Sequence, residues 1–501
     1  MELIRYAKIC LIIICFALTV AAQNSLVRFE KSIEAGQISA VEKDLFNYVI
    51  ANPKDAKGFA LLAKMRLKQN RLNEAKSLAN KALTLDAKSL SAKLTIAETH
   101  FELGEIEQSR NILDGISASE IADDSTRLNI AQLFAQVGDC KAALILTEKL
   151  TVKFKNSEAL PLRAACYLDS NDKKNFASLI ASEKLLAKQN PGVAFKFAEV
   201  LSKAAMYKET ADLLRLVVVS APKNTDALLL LAKSEIYLKD FANAKIHLAQ
   251  VEKVEPNSGK LLFVKSFLES EQGNSAQALE LLEKSLAENL NNTEVLTQFI
   301  VTAMRANQPG KAVRAAEKLL NLQPENLEYL YLYGAASLQN NNLMAAETSL
   351  KKFLEARPND SRGCVALGLA YAAQPEKLAE ARNQMQRCIE INPNNYEATY
   401  QLGLSYKTAG ETTKAVEYLE QTVKLAPNNA SALRDLGAVY LQSGAETQAQ
   451  TVLEKAVALN PNDADTHFQL SRLYNLTGER ELAKKHLEIF QKLKNPKKDA
   501  M

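Results

Sequence analysis

The sequence predicts an all-α chain, a solenoid of about fourteen antiparallel helix pairs, and three observations carry that expectation. The frame Leu402, Gly403, Tyr406, Ala415, Leu419, Pro427 returns 34 residues later as Leu436, Gly437, Tyr440, Ala449, Leu453, Pro461, and again as Leu470, Ser471, Tyr474, Ala483, Leu487. A fixed period of this size is the signature of stacked modules. Prolines keep the same phase: Pro53 to Pro461 is 408 residues, twelve periods of 34, with Pro222, Pro256, Pro324, Pro358, Pro393 and Pro427 between them. The composition is that of helices, rich in Ala, Leu, Lys and Glu, with no Trp and only 13 Pro and 17 Gly among 501 residues.

Residues 1–22 read as a secretory leader. Arg5 and Lys8 supply positive charge, Ile9 to Val20 is an apolar run of 12 residues, and Val20, Ala21 and Ala22 are small enough for cleavage. A spanning helix needs about 20 apolar residues, so a retained anchor is the weaker reading. Ile12, Ile13 and Ile14 before Cys15 lack the small residue of lipoprotein signals, which argues against lipidation there. A mature chain from Gln23, periplasmic or secreted, is expected, with no stable membrane insertion after cleavage. Repeats then fill 23–496, the stretch 88–190 being degenerate, and a basic tail occupies 497–501.

The array starts at once, with helices expected over Leu26 to Ala35 and Val41 to Ala51. In each repeat, apolar residues recur at helical spacing, a turn follows, and a second helix stops near Pro, which lacks the amide hydrogen a helix would need. One pair cannot hide its own apolar faces, so stacking must bury them. Gly403 and Gly437 are expected to let the first helix approach the second at Ala415 and Ala449. Asn394, Asn428 and Asn462, each following a Pro, are expected to cap the next helix. One extra residue enters between Pro358 and Pro393, in the turn at Gln374 and Pro375. Between Lys88 and Asn190 the Pro is missing, and the long polar connection from Asp114 to Ser125 reads as a hinge, an interaction loop or plain drift.

The order Leu433, Leu436, Gly437, Tyr440, Ala449, Leu453, Pro461 resembles the tetratricopeptide repeat, and the resemblance covers about residues 24 to 496. It implies a right-handed superhelix of helix pairs whose concave groove binds peptides or folded partners. It also implies where that groove lies, on the fifth position of each first helix: Phe195, Leu229, Phe263, Thr297, Tyr331, Val365, Tyr400, Arg434 and Phe468. Phe267, Arg362, Gln401 and Arg472 are expected on the same surface. Aromatic and Arg side chains are the usual anchors of interfaces, although the stripe also suits packing between neighbouring first helices. Some relatives grip a C-terminal carboxylate with Lys and Asn at the fifth and ninth positions; Tyr400 with Leu404, and Arg434 with Ala438, do not reproduce that clamp.

Nothing in the sequence composes a catalytic constellation. His100, His247, His467 and His486 are scattered, and there is no phosphate-cradling Gly-rich loop, HExxH or CxxC. No enzyme activity, cofactor or metal is expected. A net charge of +4 with 24% charged residues gives no field to select nucleic acid. Four cysteines follow the leader, and Cys140 with Cys166, and Cys364 with Cys388, fall at facing levels of antiparallel helices. In an oxidising compartment either pair can form a disulfide, and all four equally suit small buried hydrophobes. The function expected is a non-enzymatic scaffold for protein segments, an envelope assembly or export factor. The alternatives are a component of polysaccharide export contacting glycan or its synthase, and a structural spacer without ligand.

Overall fold

The structure, a computed structural model, describes residues 25–180 and 190–495. The expected leader at 1–22 and tail at 497–501 lie outside them. The chain divides at Glu255 and Pro256 into two compact units, each a stack of antiparallel helix pairs.

In the first unit the pairs are 25–34 with Ile38–Ala51, Ala56–Lys68 with Leu72–Leu85, Leu90–Glu102 with Ile106–Asp114, Asp124–Gln136 with Cys140–Glu148, Leu160–Asp169 with Lys173–Ile180, Pro191–Lys203 with Tyr207–Ser220, and Thr225–Tyr237 with Phe241–Val254. In the second they are Gly259–Glu271 with Ser275–Glu288, Thr293–Arg305 with Pro309–Leu322, Leu327–Gln339 with Leu343–Ala356, Ser361–Ala372 with Leu378–Ile391, Tyr396–Thr408 with Thr412–Leu425, Ala430–Ser443 with Glu446–Leu459, and Ala464–Thr477 with Arg480–Lys494. Fourteen pairs are therefore present among the described residues.

Each unit's core is a chain of small clusters shared by adjacent pairs. Phe197, Leu201 and Leu214 anchor one in the first unit, and Leu350, Phe353 and Leu367 one in the second. Pro358, Pro393, Pro427 and Pro461 each stand two residues past a second helix, where a missing amide hydrogen matters least. The helix caps lie one residue beyond the expected Asn394, Asn428 and Asn462. Asn395 accepts from the Ala398 amide, Asn429 from Ala432 and Asp463 from Thr466. Pro and the following Asn are consumed by the turn, and only the next residue has its side chain level with the free amides of the helix.

Gly403 also meets a different partner from the one expected. A side-chain carbon there would lie 2.9 Å from Leu419, and one at Gly437 would lie 2.5 Å from Leu453. The close approach is thus made onto the Leu of the second helix, one turn past Ala415 and Ala449. In the degenerate region the second helices shrink from 14 residues to 9, which accounts for the missing Pro stop. The connection from Asp114 to Ser125 is pinned in place. It carries a short 3-10 turn at Ala118–Glu120, and Glu120 accepts two hydrogen bonds from Lys93 at 3.0 and 2.9 Å.

One turn departs from the rest. A left-handed residue links the two helices of a pair at Gly273, Asn307, Asn341, Gly410, Gly444 and Gly478, spaced so that the position after Asn341 is Pro375. Proline cannot take a positive φ. Here the chain instead builds a 3-10 turn over Pro375–Lys377 before Leu378 opens the second helix, and this turn absorbs the extra residue seen in the sequence.

Candidate functional site

The expected stripe divides into three groups once placed. Leu229, Phe263 and Val365 are only 5%, 8% and 6% exposed, so these three are core residues rather than a presented surface. The cause is geometric: the fifth position of a first helix points toward the neighbouring first helix as much as outward. Phe263 stands edge to face with Phe267, ring centroids 5.0 Å apart, and Val365 packs in one cluster with Leu402. Phe195 packs half-buried against its unit's core.

The polar members form stitches between consecutive first helices. Arg362 donates to both oxygens of Glu328 at 2.8 and 3.1 Å and lies 4.7 Å over the ring of Tyr331. Burial raises the Tyr331 hydroxyl above the usual phenol range. Tyr400 donates to Asp435 at 2.7 Å, Lys407 donates to its other oxygen at 2.6 Å, and Arg434 ties Asp435 to Asp463. Burial alone would raise the Asp435 carboxyl, but Lys407 and Tyr400 hold it below the carboxylate range. Charge-assisted bonds of this kind are strong and directional, so these side chains fix the spacing of helices. At the last pair Phe468 lies 5.2 Å from Phe490, and Arg472 donates to Gln469 at 3.1 Å.

What remains open is a trough along the first helix Tyr396–Thr408. Glu397, Gln401, Leu404, Ser405 and Thr408 recur at helical spacing on one face of it, and they line two pockets in succession. The more polar pocket, 470 Å³, is bounded by Tyr331, Arg362, Asn392, Asn394, Asn395, Tyr396 and Glu397 over a floor of Ala335, Leu338, Val365, Ala366 and Leu369. The more apolar pocket, 320 Å³, is bounded by Ala372, Leu378, Ala381, Met385, Leu402 and Leu404, with Arg382, Gln401, Ser405 and Thr408 at its edge. Leu378 is where the anomalous turn delivers the chain, so the proline in the turn helps to shape the apolar end.

That turn is held from behind. Glu347 of the preceding pair accepts from Lys377 at 2.5 Å, Gln374 at 3.3 Å and Lys351 at 2.7 Å. Burial opposes its charge, yet these donors bring the Glu347 carboxyl down to about 2. On the pair that contains the turn, Ser361–Ala372 with Leu378–Ile391, Cys364 and Cys388 are bonded to each other, their Cα atoms 5.7 Å apart, linking a helix that lines the polar pocket to one that lines the apolar pocket. Cys140 and Cys166 are free thiols, and burial raises the Cys166 thiol well above its usual range.

Sequence reasoning reached Tyr331, Arg362, Val365 and Gln401 of this trough and missed Glu397, Leu378, Met385 and Leu404. The signal for the missed residues was present in the 35-residue step from Pro358 to Pro393. In the first unit a pocket of 640 Å³ occupies the corresponding station of the repeat, lined by Leu26, Glu30, Lys57, Leu61, Lys88 and Ser89; its turn residue, Asn70, is left-handed and regular.

Models of the tetratricopeptide repeat match residues 66–125, 226–258, 298–361 and 400–464. Over 321 residues the chain is 24% identical to cellulose synthase operon protein C of Pseudomonas fluorescens (strain SBW25), a match covering 59% of this chain and 25% of that protein. The chain thus spans a quarter of the length of that relative. Among solved structures it is similar to the APC/C hetero-tetramer Cut9-Hcn1, at 15% identity over 89% of this chain and 95% of that one, with a TM-score of 0.44. It is also similar to a MamA double mutant (RS-1 ArsTM), at 20% identity over 35% and 98%, with a TM-score of 0.32. No helix among the described residues is long and apolar enough to cross a membrane. With the 34-residue frame in phase through both units and four separate stretches matching that repeat, the chain is a tetratricopeptide repeat protein.

Proposed function

We propose that this protein is a non-enzymatic scaffold that holds a segment of a partner protein in the trough along Tyr396–Thr408, and that it serves envelope assembly or export. The observation that carries this reading is the continuity of one helix face, Glu397, Gln401, Leu404 and Thr408, through a polar and then an apolar pocket. Concave surfaces of this size with few polar groups and an apolar wall are the usual form of recognition sites. An extracytoplasmic location is supported by the charged and apolar character of residues 1–22.

A second reading is contact with glycan or its synthase. The name of the relative in Pseudomonas fluorescens favours it, and so does the polar pocket, where Tyr396 stands 47% exposed beside Asn392, Asn394 and Asn395. Crosslinking and recovery of the protein from its native envelope separates the two. The scaffold reading expects a defined protein partner that is lost in a Leu404→Arg variant of unchanged helicity. Recovery of polysaccharide with no trough-dependent protein would replace it by the second reading.

A further inference from the structure

The two ends of the trough differ in chemistry, and the difference specifies the ligand. At the polar end the Glu397 side chain is exposed. Arg362 beside it is committed to Glu328 and Asp360, and Arg357 is 3.9 Å from Glu328 with its guanidinium over the Phe353 ring. Glu397, in contrast, has no hydrogen-bond or ion-pair partner among the described residues. Of the two charged residues that line this pocket, Arg362 and Glu397, the cation is already paired and the carboxylate is not. At the apolar end Arg382, the one cation among the described lining residues, is already engaged: it donates to Ser405 at 2.8 Å and to Glu411 at 3.2 Å, and it stacks on Tyr406. Leu378, Met385 and Leu404 give the wall a predominantly hydrocarbon and thioether surface, with Gln401, Ser405 and Thr408 as its uncharged polar members.

The helical rise places Leu404 about 10 Å along the axis from Glu397, a distance that an extended chain covers in about three residues. We infer that the trough takes an extended peptide segment with a Lys or Arg set against Glu397 and, about three residues away, a Leu, Met or Phe side chain in the apolar pocket. This rests on the reading that the trough holds a protein segment, and it adds the chemistry of that segment. The basic group gives Glu397 the partner it lacks, and the apolar side chain fills space that the 3-10 turn leaves beside Leu378. Because the ion pair sits at an exposed rim, binding weakens as salt rises.

A displayed library of random peptides of about twelve residues, selected against the whole chain, tests this directly. The expected result is enrichment of peptides with Lys or Arg two to four residues from Leu, Met or Phe. A synthetic copy of the most enriched peptide should lose about tenfold or more in affinity against Glu397→Lys and against Leu404→Arg, with helicity unchanged in both variants. Enriched peptides lost on Leu404→Arg yet indifferent to Glu397→Lys would overturn the ligand chemistry and leave the trough as a protein site. Peptides indifferent to both variants, or no enrichment at all, would overturn the inference together with the reading beneath it.

Discussion

Tyr400 and Arg434 occupy the stations where a ligand would be expected, and both are engaged within the fold by Asp435 and Asp463. Their character, aromatic and cationic, is the same one that interfaces use, so composition alone does not separate a stitch between helices from an anchor for a partner. The separating fact is whether the polar group already has its hydrogen bonds. By that measure Gln401 and Glu397 are open and Arg362 is not. The histidines give a second case at this scale. His467 and His486, 19 positions apart, meet Nδ1 to Nδ1 at 2.8 Å, while His467 Nε2 donates to the Pro461 carbonyl at 2.9 Å. His467 Nδ1 must then accept from His486 Nδ1–H. Burial, and then the adjoining His467 ring, hold His486 below its usual value. Below about pH 6.5 the unfolded chain binds a proton that folded His486 resists, so the stability from this pair is complete above that pH and is lost as pH falls through it. Melting the protein at pH 7.5 and 5.5 should show a lower transition at the acid pH for the last repeat, and His486→Phe should remove that dependence. Equal acid sensitivity in the variant would exclude this origin.

At the scale of the element, the turn at Pro375 links sequence to site. Elsewhere in the second unit the position carries Gly or Asn in the left-handed conformation, which those residues adopt at little cost. Proline cannot, and the 3-10 turn that replaces it helps to make the apolar pocket. Restoring the usual turn, by Pro375→Asn with deletion of Glu376, should keep the helix content and the melting temperature while reducing capture of the partner by about tenfold or more. Capture at the wild-type level would show that the turn does not shape the site. The helices and their period were legible because apolar spacing, Pro stops and the Gly403 station repeat strictly. The trough was only partly legible. The extra residue near Pro375 was visible in the sequence, but its effect on Leu378 and Met385 depends on which turn the chain chooses. The burial of Val365 against the Leu402 cluster likewise depends on how closely adjacent first helices pack, which a repeat frame does not encode.

At the scale of the whole molecule, every repeat buries its apolar faces only against its neighbours, so stability is a sum of local interfaces and a local irregularity can be tolerated without loss of the array. That tolerance explains how a shortened second helix at Ile106–Asp114 and a rebuilt turn at Pro375 coexist with the period. It also lets the irregular pair, Ser361–Ala372 with Leu378–Ile391, carry a turn that the regular repeats lack. Both of its helices line the trough, and the Cys364–Cys388 bond joins them. The claim that the trough is a protein-binding site is tested most directly by a photo-crosslinking amino acid placed at Gln401, with Glu417, exposed on the following second helix, as the control position. In native cells the account predicts a discrete, protease-sensitive adduct from Gln401, absent from Glu417 and abolished by Leu404→Arg. Adducts equal at the two positions, or an adduct at Gln401 that survives protease and yields to a glycosidase, would contradict it.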